Sequence, residues 1–246
     1  LKGSVALFLP EVASVFYLQV DKVMLKWFMG TTSQVSYYDQ AEKIVTIPLS
    51  LITAVSTVMM PRIANEFYKD NKKEIERLLF RAGKITLCMA MPLMFGIFCV
   101  ARKFIPWYLG SEFKASATTI MILSPIVLMN SLAGISGKQY FTATNQVKIL
   151  MKAYVTAAVM NVVINALLIP KHGYVGAAMA TVISSAASVF IQYYYLLKQI
   201  NLRGLGKIGL KYFAGAFFMA TAIHLISRRM NASVMTTVVQ VFTGIS

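Results

Sequence analysis

The sequence predicts an all-α fold, a polytopic transmembrane helix bundle. Hydrophobic residues make up 57% of the 246 positions, charged residues make up only 13%, and the mean hydropathy is +0.64. Soluble domains carry about 25% charged residues, so this composition argues against a soluble protein. The apolar residues are also gathered into long segments, and about 20 such residues are enough for a helix to span a bilayer.

These apolar segments follow one another along the whole chain. They cover residues 4–28, 34–60, 82–104, 115–136, 147–169, 174–197 and 212–227, with a shorter eighth from about Ala232. We expect Pro61 and Arg62 to end the second segment and residues 63–80 to form a polar connector. Asn71 followed by Glu74 resembles a capping box, which predicts a helix that starts in this connector and runs into the third segment.

Prolines lie within the first four segments. They are Pro10, Pro48, Pro92 and Pro125. Each proline frees a backbone carbonyl and permits a bend, which predicts hinged helices that let part of the molecule open and close. A static kink at each proline is the alternative.

The first two segments contain an unusual number of charges for spanning helices. These charged residues are Glu11, Asp21, Lys22, Asp39, Glu42 and Lys43. An ionisable group at membrane depth costs several kcal/mol, so it faces the interior of the bundle or a water-filled cavity. The second segment also carries a polar stripe at helical spacing, formed by Asp39, Lys43, Thr46, Ser50, Thr53 and Thr57.

The charges and the stripe together predict a polar cavity. We expect its walls to include Asp21, Lys22, Asp39, Glu42, Lys43, Thr46, Ser50 and Thr53. Two alternatives stay open. The hydroxyl groups can bond back to their own helix, with the charges at headgroup level. Asp39 and Lys43 also have the spacing of a structural ion pair within one helix.

The net charge of +15 comes from basic residues that concentrate in alternate connectors. Connectors near residues 62–84, 138–152 and 198–211 hold most of them, and the positive-inside rule makes these connectors cytoplasmic. Anionic lipid at that face accounts for the basic character, so no nucleic-acid partner is predicted.

Signals for catalysis are lacking in the sequence. Cys88 and Cys99 share one apolar segment, which indicates packing, and His172 and His224 are isolated. We find no spacing of metal ligands, no glycine-rich phosphate loop and no nucleophile motif. The sequence therefore predicts a protein that is not an enzyme and that holds no metal or organic cofactor.

Two groups of residues resemble a known family. The fifth and sixth segments carry Asn161-x-x-x-Asn165-x-x-x-Ile169-Pro170-Lys171-x-Gly173-x-x-Gly176-Ala177-Ala178-x-Ala180-Thr181. Near the beginning stand Asp21-Lys22, then Tyr38, Ala41, Lys43 and Pro48, and then Val58-Met59-Met60-Pro61-Arg62. Both groups are similar to the signatures of the Wzx-type polysaccharide flippases, in the MATE-like multidrug/oligosaccharidyl-lipid/polysaccharide exporter superfamily.

The resemblance implies two lobes of six helices around a central cavity. Residues 1–200 would form the C-terminal six-helix lobe, and residues 201–246 would form an additional transmembrane helix and a truncated last helix. The N-terminal lobe would then be missing from the chain. Asn161, Asn165, Pro170, Gly173 and Gly176 would be structural motif residues, and small residues here would let the helices approach closely.

The resemblance also implies a transported substrate, an undecaprenyl-pyrophosphate-linked oligosaccharide. It would cross the bacterial plasma (cytoplasmic) membrane for capsule, exopolysaccharide or O-antigen synthesis, with membrane lipid and a polysaccharide polymerase as further partners. Lys43 and Lys22 could contact the pyrophosphate, and the hydroxyl stripe could contact sugar. Asp21, Asp39 and Glu42 could be counter-ions or could couple transport to H+ or Na+.

Three other functions remain in competition. A MATE-type cation-coupled drug antiporter would favour an acidic cavity without a lysine partner, so Lys43 argues against it. A peptidoglycan-precursor flippase is compatible with the same residues. A membrane polysaccharide polymerase is less favoured, because it would need a large external loop, and the longest predicted connector is cytoplasmic.

Overall fold

The computed structural model describes residues 19–227, 235–237 and 240, and its regular elements there are all helical. The α-helices are α1 at 19–29, α2 at Thr32–Tyr68, α3 at Lys72–Tyr108, α4 at Lys114–Leu123, α5 at Pro125–Ala133, α6 at Val147–His172, α7 at Tyr174–Gln199 and α8 at Leu205–Ser227. A 3-10 turn, Ser111–Phe113, precedes α4, and a π-helix, Gly134–Thr142, continues α5. The all-α prediction is confirmed for this part of the chain.

Five of these helices are long and apolar enough to cross a membrane, and the α4–α5 pair makes a sixth if its two parts are one span. That pair is bent by 45° beside Pro125, as the proline predicts. Pro48 and Pro92 lie inside the continuous helices α2 and α3. Pro10 and Glu11, and most of the predicted eighth segment, lie outside the described residues.

The prediction that Pro61 ends the second helix is wrong. Helix α2 continues through Pro61 to Tyr68, because a proline removes only one backbone hydrogen bond and Ile63, just beyond it, is fully buried. The connector shrinks to a tight turn at residues 69–71. Helices α2 and α3 are each about 55 Å long at 1.5 Å per residue, which exceeds the roughly 30 Å hydrocarbon core. Their polar ends therefore extend beyond the membrane.

The predicted cap at Asn71 is confirmed. Its side chain accepts a hydrogen bond from the backbone N–H of Glu74 at 3.3 Å, and α3 begins at the next residue, Lys72. From there the helix is uninterrupted into the third apolar segment, as the sequence predicts.

The core consists of two hydrophobic clusters at opposite ends of the bundle. The first includes Leu25, Tyr38, Ile105, Ile120, Val127 and Ile169. The second includes Ile63, Leu79, Ile135, Phe141, Leu196 and Leu205. Helices α1, α2, α6 and α7 meet at the first cluster, and that end of the bundle holds the charged residues of the early segments.

Helices α6 and α7 form a hairpin around Gly173. Helix α6 continues through Pro170 and ends at His172, because Gly173 adopts φ +54° and ψ −131°, which only glycine tolerates well. Gly176 lies where a Cβ atom would be 2.6 Å from the Leu168 carbonyl oxygen, so the two backbones are in direct contact.

We predict that Gly176→Ala lowers stability by about 1–3 kcal/mol, because the added methyl group overlaps backbone that cannot move aside. The measurement is thermal unfolding of the detergent-purified protein. Gly215→Ala in α8 is the matched control, since nothing lies within 4 Å of its added Cβ. A Gly176→Ala variant as stable as the Gly215→Ala variant would contradict this packing.

Candidate functional site

Asp21 is the most deeply buried charged residue of the candidate site, with no exposed surface. The hydroxyl groups of Tyr38 and Thr181 donate to its Oδ2 at 2.7 and 2.6 Å, and the Asn165 side-chain amide donates to its Oδ1. These neutral donors come from α2, α7 and α6. A single carboxylate on α1 therefore ties together the three helices around it.

The asparagines of the sequence motif belong to this buried cluster. Asn165 Nδ2 also donates to Asn161 Oδ1 at 3.0 Å, and both residues are fully buried. Among the described residues, Asn165 Oδ1 and Asn161 Nδ2 have no hydrogen-bond partner. An unpaired buried polar atom costs about 1–3 kcal/mol, so its persistence beside a buried carboxylate calls for a physical reason.

Two helical hairpins bring the cluster to a common depth. Asp21 lies nine residues before Gly30 and Tyr38 lies eight after it, while Asn165 and Thr181 lie eight residues on either side of Gly173. At 1.5 Å per residue, each side chain is about 12–14 Å along its helix from the turn. The close approach at Gly176 then brings α6 and α7 together there.

A second group of charges forms an ion-pair network beside the buried cluster. The Lys22 ammonium group lies 2.7 Å from Asp39 Oδ1 and 2.8 Å from Glu42 Oε2, and Lys43 lies 2.6 Å from Asp39 Oδ2. The within-helix pair of Asp39 and Lys43 that the spacing allows is therefore present. Two lysines and two carboxylates make this network formally neutral.

Exposure separates Lys43 from the rest of this network. Its side chain is 62% exposed, while those of Lys22, Asp39 and Glu42 are 21–26% exposed. Lys43 is thus the network cation that a ligand can reach without the network first coming apart. It lies about 16 Å along α2 from Thr32, at 1.5 Å per residue.

The hydroxyl stripe continues from Lys43 along an outer face of α2. Thr46 donates to the backbone oxygens of Glu42 and Lys43, and Ser50 and Thr53 donate to the carbonyls three residues earlier. These hydroxyl groups therefore bond back to their own helix, as one of the alternatives to a polar cavity predicts. Thr46 and Ser50 are exposed and Thr53 is partly exposed, so their oxygen lone pairs remain accessible.

A small cavity lies behind the network. It has a volume of about 30 Å³, and its lining includes Glu42, Thr46, Asn130 and Ser185. That volume suits about one water molecule and not a sugar. A large polar ligand does not fit this cavity, whereas the face of α2 that carries Lys43 and the stripe is exposed.

The predicted site residues thus divide into the buried cluster around Asp21, the partly buried ion-pair network and the exposed face of α2. The sequence singled out Asp21, but it did not pair it with Tyr38 or Thr181, and it assigned Asn161 and Asn165 a structural role only. Two asparagines four positions apart in an apolar helix were the available signal, because they must share one face and find polar partners. The described residues contain no cluster of His, Cys, Asp and Glu suited to a transition metal.

The comparisons with known proteins agree with this fold. Residues 1–243 match the family described as lipid II flippase MurJ. The "probable low-salt glycan biosynthesis flippase Agl15" of Haloferax volcanii is 26% identical over 193 residues, which are 78% of this chain and 40% of that protein.

Two solved structures share the fold. "Lipid II flippase MurJ, inward closed conformation" superposes with a TM-score of 0.80 at 21% identity, over 97% of this chain and 50% of that one. An outward-facing multidrug resistance MATE family transporter of the MOP superfamily superposes with a TM-score of 0.66 at 18% identity, over 92% and 54%. This chain spans about half the length of these relatives or less.

These matches confirm the predicted superfamily and its MATE-like fold. They also agree with the prediction of a membrane transporter and not an enzyme. The chain belongs to the MurJ family of multi-pass membrane flippases.

Proposed function

We propose that the chain is part of a flippase that moves a polyprenyl-pyrophosphate-linked oligosaccharide across the cytoplasmic membrane. The supporting observation is the 62% exposed Lys43 side chain on a spanning helix, followed by exposed hydroxyl groups. An ammonium group facing acyl chains is costly, whereas one facing a water-filled passage is not. Family membership supports the class of activity.

In this proposal Lys43 contacts the pyrophosphate. A charge-assisted contact between an ammonium group and a phosphate is strong, and the stripe at Thr46, Ser50 and Thr53 then offers hydrogen bonds to sugar hydroxyl groups. Because the ion-pair network is neutral, it does not repel an anion as an acidic cavity would. Helix α2 thus forms one wall of the passage, and residues 1–200 form one lobe, with residues 201–246 adding helices at its side. A second lobe faces the stripe.

The apolar tail of such a substrate also finds a suitable surface. An apolar groove of about 490 Å³ runs between α2, α3 and α8, with Pro48, Gly96 and Phe104 in its lining. It lies on another face of α2 from the stripe. A lipid-linked sugar could thus keep its tail in an apolar groove while its head follows the polar face, as alternating access between lobes requires.

We further propose that Asp21 couples this movement to H+ or Na+. A buried carboxylate surrounded by neutral oxygen and nitrogen atoms can be neutralised by a proton or by a small cation. The unpaired Asn165 Oδ1 is an oxygen ligand that a hard cation could use. Since Asp21 contacts three other helices, a change of its charge would alter their packing directly.

A second substrate, the peptidoglycan precursor lipid II, is supported by the description of the family. It shares the polyprenyl-pyrophosphate group that Lys43 would contact and differs in the sugar and peptide beyond it. The two substrates are separated by measuring flipping of each in the same proteoliposomes. Lys43→Ala should slow both, because both carry the pyrophosphate, whereas the unsubstituted protein should flip the preferred substrate faster.

We predict that Lys43→Ala slows flipping of a fluorescent lipid-linked oligosaccharide by about tenfold or more, since one charge-assisted contact is worth about 1.5–3 kcal/mol. The rate is read from the loss of fluorescence on adding an impermeant reductant to proteoliposomes. Lys43→Arg should retain most activity. Lys114→Ala removes an exposed charge outside the network and should stay within about twofold of the parent. An undiminished rate in Lys43→Ala would remove this residue from the site.

We predict that Asp21→Asn abolishes the response of flipping to an imposed ion gradient, because an amide can neither be protonated nor balance a cation. The rate is measured with a Na+ gradient at constant pH and with a pH gradient at constant Na+. Glu112→Gln, which makes the same change at an exposed carboxylate, should leave the response intact. Tyr38→Phe keeps the carboxylate and should shift the ion concentration for half-maximal rate. A full response in Asp21→Asn would contradict the coupling role.

A further inference from the structure

A polar groove lies at the other end of the bundle, far from Asp21 and Lys43. It has a volume of about 510 Å³ and runs between the first turns of α3 and the segment that connects α7 to α8. Lys72 and Glu76 line one side, and Leu197, Lys198 and Arg203 line the other. Nothing in the proposed flipping mechanism uses these residues.

The groove carries an excess of positive charge. Three cations, Lys72, Lys198 and Arg203, surround one carboxylate, Glu76, which gives a formal charge of +2. The ion pairs formed by the described residues involve none of these cations. Lys198 is instead held by the Tyr194 hydroxyl at 2.7 Å and lies 4.0 Å from that ring centroid. Its charge is therefore positioned without being neutralised.

The connecting segment is fixed in place and not a loose tether. Ile200 and Leu202 are only 3% and 5% exposed and anchor it in the second hydrophobic cluster. The Asn201 N–H donates to Glu76 Oε1 at 2.9 Å, and the Arg203 N–H donates to Asn201 Oδ1 at 3.1 Å. The groove is thus formed before any ligand arrives, which lowers the entropy cost of binding.

The position of the groove matches the headgroup region of a bilayer. Tyr194, one turn before Lys198, is 51% exposed, and tyrosines favour the membrane–water interface. Leu197 is 56% exposed and lines the groove next to Lys198 in the chain, so it offers an apolar surface beside that cation. A ligand here would have acyl chains on one side and an anionic group on the other.

We propose that this groove binds the headgroup of an anionic phospholipid, with its phosphate between Lys198, Arg203 and Lys72. The bound lipid would hold the α7–α8 connection against the start of α3. This site is separate from the flipping pathway, so its failure would leave the role of Lys43 untouched.

The test uses tryptophan quenching in the reconstituted protein. Trp27 and Trp107, the two native tryptophans, are replaced by Phe, and Leu197→Trp places a single reporter at the groove. The vesicles are phosphatidylcholine with a minor fraction of phosphatidylglycerol, and either lipid is brominated in turn. The ratio of the two quenching curves gives the affinity of phosphatidylglycerol relative to phosphatidylcholine. We expect a clear preference for phosphatidylglycerol in the parent.

Replacing Lys72, Lys198 and Arg203 by alanine should remove this preference, because each charge close to the phosphate contributes a factor of about five to the relative affinity. The matched control replaces three exposed lysines that do not line the groove, Lys138 in the π-helix and Lys148 and Lys152 in α6, and should keep the preference. Glu76→Gln keeps an acceptor for the Asn201 N–H while removing the negative charge, so it should strengthen the preference. An unchanged preference without the three cations, or an equal loss in the control, would overturn the proposal.

Discussion

A carboxylate buried in a membrane-spanning bundle must be satisfied by the protein itself, and Asp21 imposes this requirement on its neighbours. It has no exposed surface and receives hydrogen bonds from Tyr38, Thr181 and Asn165. Because these donors lie on three different helices, the packing of the first cluster depends on the hydrogen bonds of one side chain. The close backbone contact at Gly176 brings α6 and α7 together, and these two helices carry Asn165 and Thr181.

The same cost of burying charge explains the layout of the remaining ions. Lys22, Asp39 and Glu42 are mutually paired and mostly covered, and Lys43 shares Asp39 while remaining 62% exposed. The hydroxyl stripe that continues from Lys43 lies on the same outer face of α2. An exposed ammonium group on a spanning helix is costly beside acyl chains and is not costly beside water, which is the physical basis of the proposed passage.

The sequence was sufficient for features that depend on local pattern. Apolar segment length predicted the spanning helices, and the cap at Asn71 and the bend at Pro125 followed from local chemistry. The partners of Asp21 could not be predicted, because Asn165 and Thr181 are more than 140 positions away and only tertiary packing brings them close. The predicted helix end at Pro61 was wrong because tertiary packing overrode a local preference: burial of Ile63 stabilises the helix beyond the proline.

The central claim, that the α2 stripe faces water, is tested most directly by thiol labelling in proteoliposomes. Cys88 and Cys99 are replaced by alanine, and Ser50→Cys is compared with Leu51→Cys, which places the thiol on the adjacent exposed apolar face. Only a thiol in contact with water ionises and reacts with a charged reagent. We predict labelling of Ser50→Cys at least about tenfold faster than Leu51→Cys. Equal rates, or faster labelling at Leu51→Cys, would contradict a water-filled passage along this face.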